Sequence, residues 1–124
     1  KYKEGIRHLN GHIFAVTAVV VTQNGKHAVS ASNDQTIRMW DLNKWVNVLT
    51  LRDHVIAVTG LTLTPDGKQV ISSSEDKTLK IWHLDSTVET PAVNGHMGAV
   101  AAIAITPDGQ KAISASWDRT LKVW

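Results

Sequence analysis

One stretch of this chain is spelled three times: SASNDQTIRMW at 30–40, SSSEDKTLKIW at 72–82 and SASWDRTLKVW at 114–124. The interval never changes. Trp40, Trp82 and Trp124 lie 42 residues apart, as do Asp34, Asp76 and Asp118, and His12, His54 and His96. Ten columns are identical in all three copies, and no insertion interrupts the register. A fixed period of this length marks a repeat architecture, in which one small unit buries its apolar surface against its neighbours. The fold is therefore the fold of one unit, used three times.

Each unit reads as short β-type runs between turns. In the second copy, Ala57 to Thr64 is the first run, Lys68 to Ser74 the second and Thr78 to Leu84 the third. Pro65-Asp66-Gly67 separates the first two, proline presetting φ and glycine free to turn left-handed. A fourth run, Val88 to Val93, contains Pro91. Proline suits an edge strand, which places this run outermost. No helical periodicity competes. The unit is thus a four-stranded antiparallel meander. Its first run is apolar or small on both sides, as in Val16, Ala18 and Val20 against Val19 and Val21. That pattern predicts a strand buried on both faces, between neighbouring sheets. The small residues Ala18, Gly60 and Ala102 suit a strand crowded near an axis, and four-stranded sheets around an axis make an all-β propeller. The boundaries follow: 1–8 an N-terminal outer strand, 9–50 and 51–92 complete repeats, and 93–124 a third that lacks its outer strand.

Composition narrows the class. With 43% hydrophobic and 19% charged residues the chain reads as a globular protein. A net charge of +2 and no run of like charges disfavour nucleic acid and anionic membrane as partners. No apolar stretch approaches the roughly eighteen residues of a membrane span. Without cysteine there are no disulfides and no thiolate metal sites, and the expected compartment is the cytoplasm.

These residues resemble the WD-repeat β-propeller family. Gly11-His12 and Gly95-His96 match its GH dipeptide and Asp53-His54 departs by one residue; Trp40-Asp41 matches its WD dipeptide and Trp82-His83 departs. The resemblance implies a buried hydrogen-bond set in each blade: His12, Ser30, Asp34 and Trp40; His54, Ser72, Asp76 and Trp82; His96, Ser114, Asp118 and Trp124. The chemistry agrees. A buried carboxylate needs several donors, and an indole N–H needs an acceptor that a serine hydroxyl supplies. The resemblance also implies a partner-binding rim, with Asn33, Glu75, Trp117, Thr17 and Thr59 as candidates. Trp117 stands out there as a large anchor among small residues.

Enzymatic readings are weaker. A Ser-His-Asp set recurs in every copy, whereas a nucleophilic triad occurs once per active centre, and no nucleophile-elbow glycines flank these serines. His12, His54 and His96 fall on different blades, too far apart for one metal ion. His8, His27 and His83 share no ligand spacing and are expected to be exposed. Arg38, Lys80 and Lys122 recur once per third strand and are read as a solvated position. No catalytic residue, metal or cofactor is assigned.

Three blades leave two sheet faces bare, since propellers use four to eight. Gly5 to Leu9 is in register with Asn47 to Leu51 and reads as an offset outer strand. Two chains would give six blades and three would give nine. The function expected is a non-enzymatic scaffold for protein–protein contact, acting as a closed ring. The alternatives are a module binding small polar ligands, sugar or peptide, in pockets repeated between blades, and an excerpt, natural or designed, of a longer propeller.

Overall fold

The computed structural model describes residues 6–52, 54–84 and 93–124. Among these, every regular element is a strand. The first sheet holds β1 (Val16–Val21), β2 (His27–Ser32), β3 (Ile37–Asp41) and β4 (Val46–Leu51), in that order. The second repeats it with β5 (Val58–Leu63), β6 (Gln69–Ser74), β7 (Thr78–His83) and β8 (Val93–Asn94). The third has β9 (Val100–Ile105), β10 (Ala112–Ser116) and β11 (Leu121–Val123). All ladders are antiparallel meanders of sequence neighbours. Most of the run Val88 to Val93 lies outside the described residues; its end pairs Val93 with Leu79. Of the expected offset strand, Gly5 lies outside the described residues, and Ile6 to Leu9 form no ladder among them.

Local chemistry makes the hairpins. Gly25, Gly67 and Gly109 sit at φ of 71°, 73° and 73°, and each donates its N–H back to the threonine three residues earlier. Glycine takes that left-handed turn without steric cost. The β2–β3 turn is closed differently. Gln35, Lys77 and Arg119 are left-handed without being glycine, held there by the aspartate beside each.

The blades stack through apolar faces. Val29, Ala31 and Ile37 of the first blade pack on Val58, Leu61, Val70 and Trp82 of the second. Ile71 and Leu79 of the second then pack on Val100 and Ala112 of the third. Of the three first strands, β5 alone lies between two other described sheets, with β1 on one side and β9 on the other. The expectation that every first strand is buried on both faces therefore needs correcting: Val58 is 0% exposed, but Val16, its equivalent, is 57% exposed. At Gly60 a Cβ would sit 2.9 Å from Ser73 Oγ in its own sheet and 3.4 Å from Ile103 on the next blade.

Candidate functional site

In each blade the structure brings together the histidine, serine, aspartate and tryptophan predicted from the sequence. In the first, Trp40 Nε1 donates to Ser30 Oγ at 2.8 Å, Ser30 Oγ lies 2.7 Å from His12 Nε2, and His12 Nδ1 lies 2.9 Å from Asp34 Oδ2. The second and third sets repeat this within 0.1 Å. Donor logic fixes the direction. The indole only donates and the carboxylate only accepts, so Nδ1 donates to aspartate and a neutral ring accepts the serine proton at Nε2. The other carboxylate oxygen takes the backbone N–H and hydroxyl of the threonine two residues on. The entry loop is held by a backbone N–H donated to the same aspartate, from Ile13, Val55 and Met97.

These bonds set the carboxylate chemistry. Burial pushes Asp34 up, but the Thr36 hydroxyl, the His12 ring and two backbone amides outweigh it and hold the group far below its usual range. Asp76 is likewise lowered against its burial by Thr78 and His54. Asp118 is lowered chiefly by the Thr120 hydroxyl. All three stay ionised as acceptors. Glycine before the histidine lets the entry loop lie on the indole: a Cβ on Gly95 would meet Trp124 at 2.4 Å. Asp53, the middle copy's residue there, lies outside the described residues.

The arrangement is unsuited to nucleophilic catalysis. Ser30, Ser72 and Ser114 are buried, and each oxygen already accepts an indole N–H. Among the described residues no three histidine, aspartate or glutamate side chains converge as metal ligands.

The rim carries more apolar surface than the sequence suggested. Asn33, Glu75 and Trp117 are exposed, each bonded by its backbone N–H to the start of the first strand. Trp117 is 79% exposed. Beside these turns, the entry loops present Ile13 and Phe14, Val55 and Ile56, and Met97, all exposed. These residues were missed, although a visible signal exists: the one or two positions after each network histidine are large and apolar. Thr17 is exposed and Thr59 half-buried, and both are tied to the seam between blades. Their hydroxyls donate at 2.6 Å to the carbonyls of Val58 and Val100 on the next blade. Each stands at a β-bulge, which turns its side chain sideways into the seam.

Other sequence readings also change. His27 and His83 are half-buried, His83 Nδ1 lying 3.2 Å from Gln69 Nε2. The third-strand cations are not solvated: Lys80 is buried, and Arg38 is half-buried with Nη1 donating to Asn47 Oδ1. At Arg38 the outer strand β4 covers this position, with Thr50 standing opposite. Trp45 is partly exposed on the outer hairpin, with the Arg7 guanidinium 5.9 Å from its ring centre. On the opposite rim a cleft of about 510 Å³ opens between the first two blades, lined in part by Gln23, His27, Met39 and Asp66. The second seam is tighter there, since a Cβ on Gly109 would lie 3.2 Å from Pro65, while Gly67 has nothing within 4 Å.

Comparison with known proteins follows the same frame. The family model described as WD domain, G-beta repeat, matches residues 3–41, 45–83 and 87–124. A 42-residue stretch is 45% identical to the small ribosomal subunit protein RACK1 of Caenorhabditis elegans, covering 34% of this chain and 13% of that protein. Among solved structures, the RRP9 WD40 repeats and U3-55K each superpose with a TM-score of 0.90 at 28% identity. Both cover 95% of this chain, which spans only 37% and 38% of theirs.

Proposed function

We propose that this chain, which belongs to the WD domain, G-beta repeat family, is a non-enzymatic scaffold that meets a protein partner across its apolar rim as part of a closed ring. WD repeats of this family generally mediate protein–protein contact, and the rim is the observation that carries the reading here. Large apolar side chains stand in water at corresponding loops of all three blades, with Trp117 and Met97 79% and 86% exposed. Apolar residues displayed this way mark an interaction surface, and tryptophan is a frequent anchor. The burial of the three serines supports a role without chemistry. The bare apolar faces of the first and third blades support the ring.

A photo-cross-linking residue at position 117 or 97, in extract of the source cells, is expected to capture a discrete protein. The same residue at exposed Lys68, on the opposite rim, is expected to capture none of it. Trp117→Ser should weaken that capture about tenfold or more. Equal capture from both rims, or none from the apolar one, contradicts the proposal.

The cleft between the first two blades favours a second reading, a small polar ligand held between blades. The tighter second seam counts against the repeated pockets that reading called for.

A further inference from the structure

The dipeptide Asn-Gly stands at three places in the chain: Asn10-Gly11, Asn24-Gly25 and Asn94-Gly95. Asparagine is a chemically labile residue, and before glycine it is most so. The glycine nitrogen can reach the asparagine side-chain carbon, with no Cβ to obstruct the approach. The three sites share this chemistry, but the fold treats them differently.

Asn24 lies in the hairpin between β1 and β2, where both reacting groups are occupied. The Gly25 N–H donates to the Thr22 carbonyl at 2.8 Å, while Asn24 Oδ1 accepts the Thr22 hydroxyl at 2.7 Å and the Lys26 N–H at 2.9 Å. That turn also tolerates an acidic product. Asp66 and Asp108, one and two repeats on, accept the corresponding hydroxyl and N–H. Asn10 and Asn94 belong instead to the entry loops of the first and third blades. Both are exposed, and among the described residues neither their side chains nor the N–H groups of Gly11 and Gly95 have a hydrogen-bond partner.

These loops are also where the chain has least room. A Cβ on Gly11 would meet Arg38 Nη1 at 2.8 Å and Trp40 at 3.0 Å, and one on Gly95 would meet Trp124 at 2.4 Å. The next residue is the network histidine, His12 or His96, whose ring must reach both serine and aspartate. The middle copy reads Arg52-Asp53-His54 and has no such dipeptide.

From this we propose that Asn10 and Asn94 are sites of spontaneous deamidation, which ages the first and third clasps and spares the second. The glycine N–H loses its proton to base in solution, and its nitrogen bonds to the asparagine Cγ. The bond from Cγ to the side-chain nitrogen breaks, ammonia leaves, and a cyclic imide remains. Water then opens the imide at either carbonyl. One product is aspartate; the other, isoaspartate, carries the main chain through the side-chain carbon and so lengthens it. A longer main chain has no slack against the indole, and it draws the histidine out of its clasp.

Peptide mapping by mass spectrometry, on protein held in mildly alkaline heavy-oxygen water, tests this. Asn10 and Asn94 should each convert about tenfold or more faster than Asn24, because the bonds of the turn must open before attack. The products should carry oxygen from the solvent. In denaturant the three sites should convert alike, which assigns the difference to the fold. Indole exchange followed by NMR reads the consequence: as isoaspartate accumulates, Trp40 and Trp124 should lose protection while Trp82 keeps it. Asn94→Gln should keep Trp124 protected, because the longer side chain closes the imide ring far more slowly. Freshly made Asn94→Asp should keep it too, since the charge is added without lengthening the main chain. Asn24 converting as fast as Asn94, an Asn94 that stays intact, unequal conversion in denaturant, or isoaspartate at position 94 with Trp124 still protected overturns the inference.

Discussion

The middle blade and its two neighbours are written almost alike, yet they live in different surroundings. Leu79 is 3% exposed and Leu121, its equivalent, 71%. The polar set shows no such contrast. The indole, serine, imidazole and carboxylate meet at the same distances in all three blades. The difference separates two kinds of information in one repeat. The polar clasp closes within its own blade, needing only its own loop and turn. The apolar face is half of a seam and is satisfied only by another blade.

The sharpest way to break the comparison is to cut the same side chain in two places. Leu79→Ala should cost about 2–5 kcal/mol in chemical denaturation, whatever the protein concentration. Leu121→Ala should cost less than about 0.5 kcal/mol, because its side chain stands in water. Equal losses from dilute protein would erase the distinction.

The clasp should respond to local damage. Ser72→Ala leaves the Trp82 N–H and His54 Nε2 without their shared partner, for a loss of about 1–3 kcal/mol, and Ser30→Ala and Ser114→Ala should cost similar amounts. A loss confined to the middle blade would show that the clasp depends on the seam after all.

Acid should open all three clasps. The aspartates are held below their ordinary value of 3.8, so the folded state binds protons less readily than the unfolded one. Their contribution is full above that value and is lost as pH falls through the folded pKa. Unfolding followed from pH 6 downward should therefore steepen below about pH 4. Asp76→Asn should flatten that limb; an unchanged limb would remove Asp76 from the account.

The smallest expected effect is a gain. Lys77 at φ 75° holds a left-handed turn that glycine takes freely, and Lys77→Gly should raise stability by up to about 1 kcal/mol. A loss would mean that its side chain, rather than Asp76 and Thr78, sets the turn.

Much of the fold was legible because it is local or periodic. The 42-residue register, the glycine turns and the first three strand runs of the second copy all stand in the sequence, and so do the four residues of each clasp. What escaped depends on other blades or on backbone detail. The bulge at Thr17 and Thr59 turns a side chain that simple alternation places elsewhere. Half-burial of Arg38 depends on the covering strand β4, which composition cannot locate. The exposure of Val16 depends on how many blades stand beside it. The left-handed Gln35 carries no glycine to announce it, since Asp34 enforces the turn through Thr36.

Three of the five tryptophans report directly on the clasp, and the other two serve as exposed references. Hydrogen exchange of their indole N–H protons, followed by NMR, is the decisive measurement. Trp40, Trp82 and Trp124 donate to serine and should exchange slowly, Trp40 included although its blade has a bare face. Trp45 and Trp117 are exposed and should exchange at the solvent rate. Slow exchange at Trp82 alone would contradict the account, because the clasp would then be a property of the seam and not of each repeat.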